Sequence, residues 1–488
     1  MTQDERTKQE QTGSTNGNGP MRLVTFLGIA ILLAAIFAGA TFIIQLVSEP
    51  DPTPVIEPTL RPTFTPSVTS TEQNYPPDST QTAETPMPTE TARITETATL
   101  TGEAPTAAPT TGTEAAATDT PITPTTRPPV SPGMASPDYG IQAFLWWRPE
   151  VAHRDLGLVR DAGFTWVKQW FAWRDIEGGG KGQYDWSAAD RIVDGVEEFG
   201  LKLIARVDHE PDWAGPPPGN IDAFVGFLTT MATRYRGRIQ AYQIWNEPNL
   251  AREWGNKPPN AAEYTQMLKR AYQAIKKADP NALVISAGMA PTTELSQRAV
   301  PDTKFIQSMY NAGAQPYFDL LGAHGAGYKA PPEMDPAQVA TDPNYYNVGD
   351  VNCPGDACRI YCFRHVEDLR KIMVENGDAR KRVVVLEFGW TRDERPDSPY
   401  AWHSVEDQGK QADYMVRAYQ YAQEHWQPWI AVMSLIYLPD PEWTQDDEQY
   451  WWSVIEPSPT EIRLKAPYVE LCLYLREERG MDRCPYAP

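Results

Sequence analysis

Arg382-Val383-Val384-Val385-Leu386-Glu387-Phe388 is an unbroken apolar run closed by a carboxylate. A strand with one wet face alternates apolar and polar residues. A run without alternation is expected of a parallel strand covered on both faces. Outward from this run at 382–388, similar short apolar stretches fall at 140–147, 165–170, 201–207, 239–245, 282–287, 318–323 and 429–438. Helical patterns lie between them, including 221–235, 261–278, 359–375 and 408–424, and 466–478 closes the series. Eight alternating units with right-handed crossovers predict an α/β protein built as a closed (β/α)8 TIM barrel. A doubly wound open sheet is the alternative. It would place a glycine-rich loop after the first strand, where Trp146-Trp147-Arg148-Pro149 stands instead.

Composition confines that barrel to the C-terminal part of the 488-residue chain. All 16 tryptophans lie between Trp146 and Trp452, and all five cysteines between Cys353 and Cys484. The barrel domain is therefore expected at 138–488. The formal charge of −21, with no cluster of Lys and Arg, would repel a phosphate backbone and argues against nucleic acid as a partner.

Leu23 to Val47 carry no charged side chain, and as a helix they would span about 37 Å, enough to cross a bilayer. Arg6, Lys8 and Arg22 precede this stretch and the next basic residue is Arg61. This bias predicts a cytoplasmic tail at 1–21, a transmembrane signal anchor at 22–47 with the lipid bilayer as its partner, and an extracellular C-terminal domain. A cleaved signal peptide ending near Ala38-Gly39-Ala40 is the alternative, but the apolar stretch outruns a signal h-region. Residues 48–137 are rich in Thr, Pro and Ser without helical or strand periodicity, and read as a disordered, semi-stiff linker. An extracellular setting favours disulfides. Local pairs Cys353–Cys358 and Cys472–Cys484 are expected, with Cys362 unpaired.

The chemistry of a barrel sits where strands end and βα loops begin. Strand four ends in Gln243-Ile244-Trp245-Asn246-Glu247-Pro248-Asn249, and strand seven ends in Leu386-Glu387-Phe388-Gly389-Trp390. One glutamate at a strand end is usually a solvated loop residue. Two at one barrel mouth, flanked by aromatics, are the pair that cleavage of a glycosidic bond requires. The spacing between them is lengthened by an insertion at about 327–357, on the same face.

Asn246-Glu247-Pro248 after strand four, with Glu387 ending strand seven, resembles clan A of the glycoside hydrolases, nearest to cellulase-like family 5 and β-xylosidase-like family 39. Trp173-Arg174-Asp175-Ile176-Glu177, Tyr184-Asp185-Trp186 and Pro211-Asp212-Trp213-Ala214 agree with it. The resemblance implies a retaining hydrolase of β-linked oligo- or polysaccharides, with Glu247 as acid/base, Glu387 as nucleophile and Asn246 bonding the sugar 2-hydroxyl. His324 stands where many members carry a histidine near the nucleophile. Those relatives often have an aromatic two residues later, where this chain has Ala326, with Tyr328 further on. Tyr437 would line the −1 sugar subsite, where many relatives place tryptophan. Arg206 and His209 close strand three, and side-chain alternation lets only some neighbours there face inward. Trp146 and Trp390 are candidates to stack on a sugar's C–H face, Trp390 being three residues past the nucleophile.

No metal and no cofactor is expected. Asp208-His209-Glu210 are consecutive and cannot converge on one ion, and no Cys/His ligand spacing is present. A transglycosylase of the same fold shares every residue named, and a catalytically inactive glycan-binding barrel is the second alternative.

Overall fold

The computed structural model describes residues 134–488 apart from 218, 219, 354 and 488. The expected tail and anchor, and the linker as far as residue 133, lie outside the described residues. Among those described, no helix is long and apolar enough to cross a membrane.

Eight strands close into a barrel in sequence order. They are β1 (Asp138–Gln142), β2 (Trp166–Ala172), β3 (Lys202–Asp208), β4 (Ala241–Ile244), β5 (Leu283–Ile285), β6 (Leu320–Ala326), β7 (Arg382–Gly389) and β8 (Ile430–Leu435). All neighbours pair in parallel, and β1 closes on β8 with Asp138 opposite Val432 and Ile141 opposite Leu435. The expected doubly covered strands are there: inward Val384 and Leu386 join Trp166, Ile204, Ala241, Leu283 and Leu320 in one cluster. Outward Val383 and Val385 belong to the larger core beneath the helices.

Those helices are α1 (Pro149–Asp161), α2 (Trp173–Glu177), α3 (Ser187–Glu198), α4 (Ile221–Arg234), α5 (Ala261–Ala278), α6 (Asp302–Asn311), α7 (Pro336–Thr341), α8 (Val366–Glu375), α9 (Gln408–His425), α10 (Glu448–Trp452) and α11 (Ala466–Glu478). Asparagine caps start two of them: Asn220 accepts from the Ala223 amide, and Asn260 from those of Ala262 and Glu263. The helix expected from 359 begins only at Val366, and two short 3-10 turns precede it. Cys358 and Cys362 are drawn there into a small second core with Tyr328, Val339 and Tyr361, which the insertion builds for itself. Cys353 is bonded to Cys358 and Cys472 to Cys484, and Cys362 is free and buried.

Candidate active site

Side-chain alternation decides what enters the barrel. On β2, Lys168 lies on the same face as Trp166, and on β3 Arg206 and Asp208 follow Ile204 inward. On β6, His324 follows Leu320 and Gly322. By the same count Glu387 should point outward, since Val384 and Leu386 already face in. A bulge reverses it. Ala323 pairs with Val385 and the next residue, His324, with Glu387, so β7 carries one extra residue. The pairing with β8 slips at the same place. An inserted residue re-aims the side chain after it, and Glu387 turns into the barrel.

There it meets two cations. Lys168 Nζ donates to Glu387 Oε1 at 3.0 Å and to the Leu386 carbonyl at 3.1 Å. Arg206 Nη1 stands 3.9 Å from the same carboxylate oxygen, while its Nε donates to Asp208 Oδ2 at 2.6 Å. Burial pushes the Glu387 carboxyl up, but the charges of Lys168, His324 and Arg206 outweigh it and hold the group down to about 2. Burial also opposes the charge of Asp208, and Arg206 and His209 pull that carboxyl well below the usual range. Lys168 is absent from the sequence expectations.

Glu247 comes from a strained turn. Trp245 and Glu247 have φ of 69° and 47°, a left-handed region that side chains other than glycine seldom adopt outside functional sites. The Glu247 amide donates to the Gly288 carbonyl at 3.0 Å, which fixes the turn against the end of β5. His324 Nδ1 is 3.1 Å from Glu247 Oε1 and 3.9 Å from Glu387 Oε2, so one ring nitrogen reaches both carboxylates. Its Nε2 has no hydrogen-bond partner among the described residues. The ring lies against Gly288, where any Cβ would overlap it. Both glutamates are almost fully buried.

The remaining expected residues scatter. Asn246, buried beside Glu247, accepts from Gln243 Nε2 at 3.1 Å. Tyr437 is buried between Phe144 and Trp443, near enough to both glutamates for their charges to push its phenol well up, after burial itself. His209 is bonded through Nδ1 to Asp208 at 2.8 Å and sits edge-on to Trp170. Trp146 packs in the core, edge-to-face with Phe171.

Trp390 differs most from expectation. It is 0 % exposed and offers no face to a ligand. Its ring lies on Gly327, where a Cβ would overlap it, and its Nε1 donates to the Ala330 carbonyl at 2.9 Å. Nearness in sequence to Glu387 puts Trp390 behind the wall of the site, as a support for the insertion.

Oxygens of Glu247 and Glu387 and a nitrogen of His324 lie within 4.8 Å of one another, close enough by geometry to surround a cation. Lys168 and Arg206 already bring two positive charges to that carboxylate, and a metal would have to compete with both. What the arrangement can do without one is hold one carboxylate ionised and present a second across a short gap.

Residues 126–343 match the family model of Cellulase (glycosyl hydrolase family 5). No curated protein matches the sequence. Among solved structures, a family 39 glycoside hydrolase from the gut symbiont Bacteroides cellulosilyticus WH2 is 19% identical with a TM-score of 0.51, over 70% of this chain and 64% of that one. A glucosidase from Croceicoccus marinus is 13% identical with a TM-score of 0.50, over 71% of this chain and 69% of that one. GH5_18 from Streptomyces cattleya, in complex with GlcNAc, is 12% identical with a TM-score of 0.50, over 73% and 82%. At these identities the likeness is one of fold. Through the match at 126–343 and the closed eight-stranded barrel, the chain resembles the glycoside hydrolases of clan A.

Proposed function

We propose that this chain is a retaining β-glycosidase acting on β-linked oligo- or polysaccharides, held outside the cell by a membrane-spanning helix at 22–47. The observation that carries the catalytic part is the short gap between the carboxylates. One oxygen of each carboxylate lies within 4.8 Å of the other, in keeping with the ~5–5.5 Å separation of retaining enzymes. In this reading Glu387, kept ionised by Lys168 and Arg206, attacks the anomeric carbon. Glu247 protonates the departing oxygen and then takes the proton from the water that releases the sugar. The family 5 cellulase match supports a β-linked glycan. The charge-free stretch 23–47 and the basic residues before it support the anchor.

Proton NMR of the first product released from an aryl β-glycoside tests the mechanism. The β-anomer is expected to appear first and the α-anomer only by slow mutarotation. An α-anomer at the outset would refute it.

A further inference from the structure

Most cations around the site are committed. Lys168 and Arg206 are buried against Glu387 and Asp208. Arg148 pairs with Glu442, and Arg395 with Asp393. Arg252 is held more loosely than these. It lies in the short turn that follows Asn246-Glu247-Pro248, its side chain is 44% exposed, and among the described residues it makes no hydrogen bond. Its nearest contacts are long: Nη2 is 4.0 Å from Glu247 Oε2, and Nε is 3.4 Å from Glu253 Oε1.

Two further acids lie near Arg252. Burial, and then the charge of Glu247, push the Glu253 carboxyl up. The charge of Arg252 also reaches Glu448, the first residue of α10, but burial pushes that carboxyl up to about 8 against the pull of its Trp452 hydrogen bond and of Arg395. Glu448 thus holds its proton more tightly than an exposed carboxyl does. Its second oxygen is buried with no hydrogen-bond partner among the described residues. A guanidinium with its fork of donors uncommitted is suited to grip a planar anion with two parallel bonds.

The position of Arg252 says which part of a substrate it would meet. His324 faces Glu247 Oε1, whereas Arg252 approaches Oε2. Among the described residues Arg252 makes no ion pair with Glu387, so it stands by the acid rather than by the nucleophile. On that side lies the group that departs when Glu247 gives up its proton.

We infer that Arg252 is a specificity residue that selects substrates carrying a carboxylate, such as a uronic acid, on the leaving-group side of the scissile bond. The inference rests on the glycosidase reading for the word leaving group, but the anion-binding part can be tested apart from it.

Two aryl β-glycosides of one sugar, with 4-carboxyphenol and with methyl 4-hydroxybenzoate as leaving groups, differ there by a single charge. With the full-length chain, the kcat/KM ratio of anionic to neutral substrate should fall about tenfold in Arg252→Gln, recover partly in Arg252→Lys, and shrink in wild type as salt is added. An unchanged ratio overturns the inference. So does an equal loss on both substrates, which would mean that Arg252 only positions Glu247. Calorimetry with methyl β-D-glucuronide and methyl β-D-glucoside reads binding without turnover. Wild type should prefer the glucuronide and Arg252→Gln should lose that preference. If no aryl glycoside is turned over, the glycosidase reading falls, and Arg252-dependent glucuronide binding still upholds the anion site. Equal binding of the two methyl glycosides, or of neither, counts against it.

Discussion

Removing either carboxylate should stop the reaction at a different step. Glu387→Ala leaves nothing to attack the anomeric carbon and should be inactive on every substrate. Glu247→Ala keeps the nucleophile, and a dinitrophenyl glycoside departs without a proton. That variant should release a burst of phenol, stall as the glycosyl ester, and speed up when azide replaces the missing base. The reverse pattern would exchange the roles. Lys168 makes a second test through pH. It is the foremost of the charges that hold the buried Glu387 carboxyl down to about 2. Lys168→Met leaves the burial and removes the charge, so the acid limb of kcat/KM should move to higher pH by about one unit or more. A carboxylate depressed in the folded state contributes stability above its unfolded value of about 4.3, which is lost as pH falls toward its folded value. Wild type should therefore lose more stability than the variant between about pH 5 and 2, as an acid titration followed by circular dichroism would show.

Strand positions were readable because doubly buried parallel strands leave runs such as Val383 to Leu386 in the sequence. The bulge that turns Glu387 inward was not, since one extra residue in a ladder leaves no trace in an apolar run. Lys168 was passed over for a related reason. A lysine within a strand looks like an outward residue until the partner that offsets its burial is known, and that partner is 219 positions away. Trp390 was misplaced because closeness along the chain does not say on which side of the strand a ring will lie. Helix starts were clearer, and α5 gives a test of one. Asn260 satisfies two amides that would otherwise be orphaned at its first turn. Asn260→Ala should cost about 1 kcal/mol and lower the melting temperature by roughly 2 °C, with activity at 25 °C unchanged; differential scanning calorimetry reads the shift.

For the whole molecule, the barrel contains its own core, and the Thr- and Pro-rich stretch before it has little apolar surface to add. Residues 137–488 expressed alone should fold and hydrolyse soluble substrate at the rate of the full chain. The full chain should stay with membranes through carbonate washing, and loss of residues 1–47 should release it. Activity that vanishes with the N-terminal residues, or full-length protein in the wash, would redraw the boundaries. The seam between β1 and β8 has a further consequence. Asp138 finds its partner at Val432, nearly at the far end of the barrel sequence. During synthesis the first strand therefore waits, its outer edge unpaired, until almost all of the chain has been made. A ribosome that stalls before β8 leaves a sheet with two open flanks, ready to pair with any strand nearby. A truncated product would be less a weakened enzyme than a seed for aggregation.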